Sequence, residues 1–227
     1  MKFKAVIFDL DGTLLDSLGG IADSMNLLLE RLGYPLHPID RYKYFIGEGI
    51  DQLVKQALPG DWKPASRPAG DSVQGIDALI ADYRKIYQEE WPRKTRPYGG
   101  IPGLLEMLAA KKIKIAVLSN KSHEFTRRMA AALLGDRRFD IVLGSRPGVP
   151  VKPDPAAALE IAAAIDTDPE AMAFLGDSGV DMETAVNAGM FPVGVLWGFR
   201  EGEELLAHGA KILINHPMEL PGILEGD

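Results

Sequence analysis

The chain has 227 residues, roughly one and a half times a typical domain, which suggests one large domain or a core carrying a smaller insert. Hydrophobic residues make up 46% and charged residues 25%, close to ordinary globular usage, so disorder and fibrous repeats are excluded as starting points. A formal net charge of -7 disfavours a protein that works by neutralising nucleic acid or an anionic membrane, and the lack of cysteine removes disulfide scaffolds, thiolate zinc sites and cysteine nucleophiles.

The first apolar run, Ala5 to Leu10, reads as a strand buried on both faces. It is too short for a secretory h-region, and no later stretch reaches the roughly 18 apolar residues of a membrane helix, so a cytoplasmic protein is expected. The strand ends in Asp9-Leu10-Asp11-Gly12-Thr13. Two carboxylates this close repel unless a cation or a shared proton compensates, and the C-terminal end of a parallel strand is where α/β sheets bind ligands. A divalent metal site is one reading of this pair; a solvated Asp-Gly turn is the other.

From Leu10 to Ile113 no convincing buried strand follows, a gap far longer than one crossover needs, so it should hold the insert. The gap reads as helical. Ile21, Met25, Leu28, Leu29 and Leu32 share one face at helical spacing, as do Ile50, Leu53, Val54, Ala57 and Leu58, and Leu79 to Trp91 is a further amphipathic candidate. The Pro- and Gly-rich stretch Pro59 to Gly70 reads as a loop. Arg41, Lys43 and Tyr44 suit an anionic ligand or a solvated face, and Gly47 and Gly49 suit backbone approach to a ligand or a glycine lead into a helix.

Beyond the gap, strands are expected at Ile113 to Leu118, Phe139 to Leu143, Met172 to Leu175, Pro192 to Leu196 and Lys211 to Ile214. Helices are expected at Gly103 to Lys111, His123 to Leu134, Pro155 to Ala164 and Met182 to Ala188. Strand then helix, repeated, predicts an α/β parallel sheet. Three more polar clusters follow these strands: Ser119-Asn120-Lys121, then Lys152-Pro153-Asp154-Pro155, then Gly176-Asp177-Ser178-Gly179-Val180-Asp181. Singly, each also reads as a helix cap or a solvated turn. Their shared position is more telling, because one sheet edge would then gather Asp9, Asp11, Ser119, Lys152, Asp177 and Asp181.

Taken in order, Asp9-x-Asp11-Gly12-Thr13, Ser119-Asn120, Lys152-Pro153 and Gly176-Asp177-Ser178-x-x-Asp181 resemble the four motifs of the haloacid dehalogenase-like hydrolase superfamily, nearly end to end. The resemblance implies a Rossmann-like three-layer core with a parallel sheet, residues 1–16 and 97–227, and an inserted α-helical cap domain, residues 17–96. It implies a Mg²⁺-dependent phosphatase in which Asp9 is the nucleophile, Asp11 the acid and base, and Ser119 and Lys152 hold and neutralise the phosphoryl group, with Thr13 and Asn120 beside it. Asp9, Asp177 and the backbone carbonyl of Asp11 would hold the metal, with Asp181 binding it through water or orienting Lys152. The acid at position 11 favours phosphoryl transfer over carbon–halogen cleavage, and neither Lys43 nor Lys55 marks a Schiff-base phosphonatase.

The segment around Gly47 and Gly49, and Leu196-Trp197-Gly198-Phe199-Arg200, resemble bacterial phosphoglycolate phosphatases. A small phosphorylated metabolite, with 2-phosphoglycolate first, is therefore the expected substrate, Arg41, Gly47 and Gly49 contributing from the cap. A sugar-phosphate phosphatase and a β-phosphoglucomutase-like phosphotransferase are the enzyme alternatives. A phospho-acceptor signalling module is the non-enzyme alternative, but its acceptor lies on a later strand of a chain about half this length.

Overall fold

The structure is a computed structural model that describes residues 3–60, 62–63, 75–135 and 139–225. In chain order it runs through β1 (Ala5–Phe8), β2 (Leu15–Asp16), α1 (Leu18–Arg31), a 3-10 segment at Ile39–Tyr44, α2 (Ile50–Ala57), α3 (Ile76–Lys94) and β3 (Arg96–Pro97). It continues with α4 (Ile101–Ala110), β4 (Lys114–Ser122), α5 (His123–Leu134), β5 (Ile141–Ser145), α6 (Ala156–Ala164), β6 (Met172–Gly176) and α7 (Gly179–Asn187). The last elements are β7 (Phe191–Val195), α8 (Gly202–Ala207), β8 (Ile212–Ile214) and α9 (Leu220–Glu225). The chain divides into two compact units, Met1–Asp16 with Arg96–Asp227, and Ser17–Thr95.

The larger unit carries a six-stranded sheet in the order β5-β4-β1-β6-β7-β8. Every neighbouring pair in it is parallel, the arrangement that repeated βα units dictate. Alternation along β1 sends Ala5 and Ile7 to one face and Val6 and Phe8 to the other, and all four are fully buried, so helices cover both faces. On one face Ala5, Ile7, Leu118, Met172 and Phe174 pack with Ala158, Ile161 and Ala162 of α6 and Ala185 of α7. Three alanines on α6 and α7 let the helices approach the sheet closely, while Phe174 and Ile7 supply bulk. Burying side chains of that size contributes about 1.5–3 kcal/mol each.

The sheet's strands lie where apolar runs were expected, with ends shifted by a few residues. β4 reaches Ser122 through a register irregularity between Leu118 and Ser122. Unexpected are a two-residue antiparallel ribbon, Leu15 opposite Pro97 and Asp16 opposite Arg96, and the short helices α8 and α9.

The smaller unit is helical among its described residues. Its longest helix, α3, packs on α1 and buries Leu79, Ile80, Tyr83, Ile86, Tyr87 and Trp91. The Asn26 carboxamide of α1 ties down the chain that follows: it donates to His37 O (2.9 Å) and accepts from His37 N–H (3.0 Å) and the Tyr42 hydroxyl (2.7 Å). His37 Nε2 bonds the carbonyl of Ala57 at the end of α2 (2.8 Å). Of the expected Pro-rich loop, residues 61 and 64–70 lie outside the described residues. Among the described residues no helix is long and apolar enough to cross a membrane.

Candidate active site

The C-terminal edge of the parallel sheet is built from the loops that leave β1 and β6 and from the last residues of β4, with Lys152 arriving after β5. The Asp9 N–H continues the ladder to Leu175 O (2.9 Å), so its carboxylate leaves the last paired position of β1. The chain then turns sharply. Gly12 has φ +87°, and a Cβ there would overlap the Asp177 carboxylate, so glycine is required on both conformational and steric grounds.

Asp177 follows β6 and is held from several directions. Its Oδ2 accepts the Phe199 N–H (2.7 Å) and its Oδ1 the Thr13 hydroxyl (3.3 Å). The Trp197 ring N–H donates to Thr13 O (3.0 Å), and a Cβ at Gly198 would overlap the Asp177 side chain. Asp181 lies in the first turn of α7, where Oδ2 accepts both the N–H (3.1 Å) and the hydroxyl (2.7 Å) of Ser178 in a capping arrangement. Its other oxygen, Oδ1, takes Lys152 Nζ at 2.5 Å.

Lys152 links the two halves of the cluster, since Nζ also lies 2.8 Å from Asp9 Oδ1. Its ammonium stands 5.8 Å above the Phe174 ring. Its main chain is fixed by the Asn120 carboxamide, which accepts the Lys152 N–H (2.9 Å) and donates to Lys152 O (3.0 Å). Asn120, expected beside phosphate, is thus engaged with the loop that carries the lysine. Ser119 is buried at the same edge, and its Oγ accepts the Lys121 N–H (3.3 Å).

Asp9, Asp177 and Asp181 each offer a carboxylate oxygen within 4.8 Å of the others, and all three are buried. Burial pushes the Asp9 carboxyl up to about 7, with the charges of Asp181 and Asp11 adding to the rise and Lys152 opposing it. Asp177 is raised well above its ordinary value, first by burial and then by Asp181 and Asp9. Lys152 is raised as well, because Asp181 and Asp9 outweigh the burial that disfavours its charge. Hard oxygen donors that repel one another in a buried cluster fit a divalent cation, which relieves the repulsion directly. Of the three, Asp181 is the one bonded to the Lys152 ammonium through one oxygen and to Ser178 through the other, whereas, among the described residues, the oxygens of Asp177 accept only from the Phe199 N–H and the Thr13 hydroxyl.

The Asp11 carboxylate faces a different cation: Lys121 Nζ, 2.7 Å from Oδ2, a lysine less deeply buried than Lys152. Lys121, Gly198, the Phe199 N–H and Trp197 had no role assigned from the sequence. Arg41, Gly47 and Gly49 belong to the helical unit. There the Arg41 guanidinium lies 5.7 Å over the Phe45 ring, and Gly47 and Gly49 have φ +125° and +90°, with no heavy atom within 4 Å of a Cβ at Gly47.

Known proteins repeat this architecture. The sequence model of the haloacid dehalogenase-like hydrolases matches residues 6–195. A phosphoglycolate phosphatase of Nitrosospira multiformis is 34% identical over 207 residues, 90% of this chain and 88% of the relative. One from Aquifex aeolicus is 30% identical over 196 residues, 86% of each chain. A crystal structure from Lactobacillus delbrueckii subsp. bulgaricus superposes with a TM-score of 0.89 at 29% identity over 100% of both chains. With the match spanning all four polar clusters, the chain belongs to the haloacid dehalogenase-like hydrolases, among their phosphatases.

Proposed function

We propose that this phosphatase hydrolyses a small phosphomonoester, 2-phosphoglycolate, by way of an aspartyl-phosphate on Asp9. The observation that carries the reading is Lys152 bridging Asp9 and Asp181 beside Asp177 at one sheet edge, a buried nucleophile with its counter-charge built in. The substrate is taken from the names of the relatives, and the segment around Arg41, Gly47 and Gly49 supports it as the part of the helical unit that selects the ester.

In the first step an Asp9 carboxylate oxygen bonds to phosphorus as the bond to the ester oxygen breaks, and Asp11 gives that oxygen a proton. In the second step water attacks phosphorus, Asp11 takes a proton back, and the acyl-phosphate bond breaks to restore the Asp9 carboxylate and release phosphate. Splitting hydrolysis in this way lets one carboxyl serve as acid and then as base. The Ser119 hydroxyl holds a phosphoryl oxygen, and Lys152 offsets charge gathering between Asp9 and the phosphoryl group. Asp9, Asp177 and the main-chain carbonyl of Asp11 would hold Mg²⁺, which supplies Lewis-acid stabilisation of phosphoryl charge. The helical unit is the inserted cap domain of this reading.

The test is phosphate release from a panel of 2-phosphoglycolate, sugar phosphates, nucleotides and pyrophosphate, with Mg²⁺ and with chelator, for the native protein and Asp9→Asn. The expected result is highest kcat/KM on 2-phosphoglycolate, loss on chelation, and a fall in kcat of about 10⁴-fold or more in Asp9→Asn. Undiminished turnover in Asp9→Asn, or indifference to chelator, overturns the mechanism; a better ester in the panel overturns the substrate.

A further inference from the structure

Three of the four acids at the sheet edge pair with two lysines, and only one of those lysines is accounted for by the steps above. Lys152 serves the nucleophile. Lys121 serves Asp11, the group that gives its proton to the leaving oxygen, through a 2.7 Å contact to Oδ2. A general acid works within hydrogen-bond reach of the atom it protonates. The Lys121 ammonium therefore stands one carboxyl group away from the oxygen that Asp11 would protonate. In the proposed mechanism, a phosphoryl group held by Asp9, Ser119 and Lys152 would present its ester oxygen to Asp11.

We propose that Lys121 is the core's specificity-determining residue: it receives an anionic group carried one or two carbons from the ester oxygen, so the enzyme prefers short phosphate esters that bear a carboxylate. The proposal deepens the reading of the chain as a 2-phosphoglycolate phosphatase and rests on it. Charge supplies the physical reason. Four aspartates, Asp9, Asp11, Asp177 and Asp181, crowd this edge, and an ester with a second negative charge beside its leaving oxygen would meet the Asp11 carboxylate first. With Lys121 against Asp11 the same approach meets an ion pair whose cation can turn. An ammonium carries three N–H donors, so holding Asp11 and holding a substrate carboxylate are compatible. Its stem is flexible, and its Nζ is a compact point charge that can shift between two acceptors without a fixed fork geometry. The pair is neither sealed nor on open surface, with side-chain exposures of 12% for Lys121 and 9% for Asp11, so the contact keeps its strength and remains within reach of a ligand. Ser119 and Lys121 lie two residues apart near the end of β4, where the Ser119 Oγ accepts the Lys121 main-chain N–H, so the phosphoryl-binding hydroxyl and the residue that carries the ammonium share one strand end.

The experiment compares two esters that differ only in the distal group: 2-phosphoglycolate, with its carboxylate, and 2-hydroxyethyl phosphate, with a neutral hydroxyl. The readout is the ratio of their kcat/KM values for the native protein, Lys121→Met, Lys121→Gln and Lys121→Arg. A hydrogen bond to a charged group sets the scale, so the ratio is expected to fall about 10- to 100-fold in the Met and Gln proteins, chiefly through KM for 2-phosphoglycolate, with Arg recovering part of it. A second measurement needs no turnover. In Asp9→Asn, calorimetric binding of 2-phosphoglycolate should weaken on adding Lys121→Gln, whereas binding of inorganic phosphate should weaken far less. If the native ratio is large and the substitutions lower both esters equally, Lys121 only maintains Asp11 and the proposal is overturned while the substrate reading stands. If the native protein does not favour the charged ester, the substrate reading fails and this proposal with it.

Discussion

Lys152 and Lys121 are the same residue type, at the same sheet edge, each in contact with an aspartate that follows β1, yet they occupy different environments. Lys152 has 3% side-chain exposure, bridges two carboxylates and has its main chain clamped by Asn120; Lys121 has 12% exposure and holds a carboxylate of the loop after β1. The contrast shows how depth converts one ionic chemistry into two tasks. In the proposed mechanism a sealed ammonium with fixed partners is a constant of the site, balancing charge on the phosphoryl group without responding to what is attached to it. A shallower one can exchange partners when a ligand arrives.

The strongest break in this comparison comes from removing the inner cation. Lys152→Met leaves Asp9 and Asp181 buried without their counter-charge, and loss of one partner of such a cluster costs about 3–5 kcal/mol. Chemical denaturation should register that loss, and kcat should fall by about 10³-fold or more, as expected when stabilisation of transferring charge is removed. A Lys152→Met protein as stable as the native one would show that the cluster is better solvated than its burial indicates.

A smaller effect is expected from the backbone that cradles Asp177. In Gly198→Ala the new methyl overlaps the Asp177 side chain and must displace it, so Mg²⁺ affinity should drop about 10- to 100-fold, as for lost support of a metal ligand. Titrating activity against Mg²⁺ separates this from a fall in kcat at saturation.

Acidity offers a third probe. A buried aspartate whose pKa in the folded chain lies above its unfolded value adds stability while it is protonated; that contribution is complete below the unfolded value and is lost as pH rises through the folded one. For Asp9 the window runs from 3.8 to about 7, and Asp177 shifts the same way. In chelator, the melting temperature should therefore decline as pH rises across this range. Added Mg²⁺ should raise it more at pH 8 than at pH 5, where protons compete for the same oxygens. Equal gains at both pH values would rule out these carboxylates as the binding groups.

At the small end lies an ordinary surface pair in the helical unit. Lys85 and Asp82 sit 3.3 Å apart, with 77% and 40% exposure, and Lys85→Ala should shift the melting temperature by less than about 2 °C. Scanning calorimetry of this variant gives the baseline against which the two active-site lysines are judged.

Much of this site is legible in the sequence because its parts lie at strand ends, and buried parallel strands announce themselves as apolar runs. Asp9, Asp11, Ser119, Lys152, Asp177 and Asp181 could be placed at one edge by that reasoning alone. Their partners could not. Asn120 reads equally well as a phosphate ligand or a helix cap, and only the folded chain reveals its carboxamide against a main chain 32 residues away. Lys121 meets Asp11 across 110 residues, a pairing that no local pattern encodes. Gly198 looks like any loop glycine until Asp177 is seen against it. The ribbon of β2 and β3 has two residues per strand, too few for alternation to register, and α8 and α9 are too short to show a helical period.

That small ribbon has a consequence for how the molecule can change over evolution. Leu15 and Asp16 pair with Pro97 and Arg96, so the chain leaves the sheet-bearing unit and returns to it at adjacent points. The sheet-bearing unit therefore experiences the 79-residue excursion between them, Ser17 to Thr95, as a closed loop. Closure entropy grows only with the logarithm of loop length, and doubling the insert would cost the host about 0.6 kcal/mol. Selection can therefore lengthen, shorten or replace the inserted helices at little cost to the folding of the unit that carries the sheet.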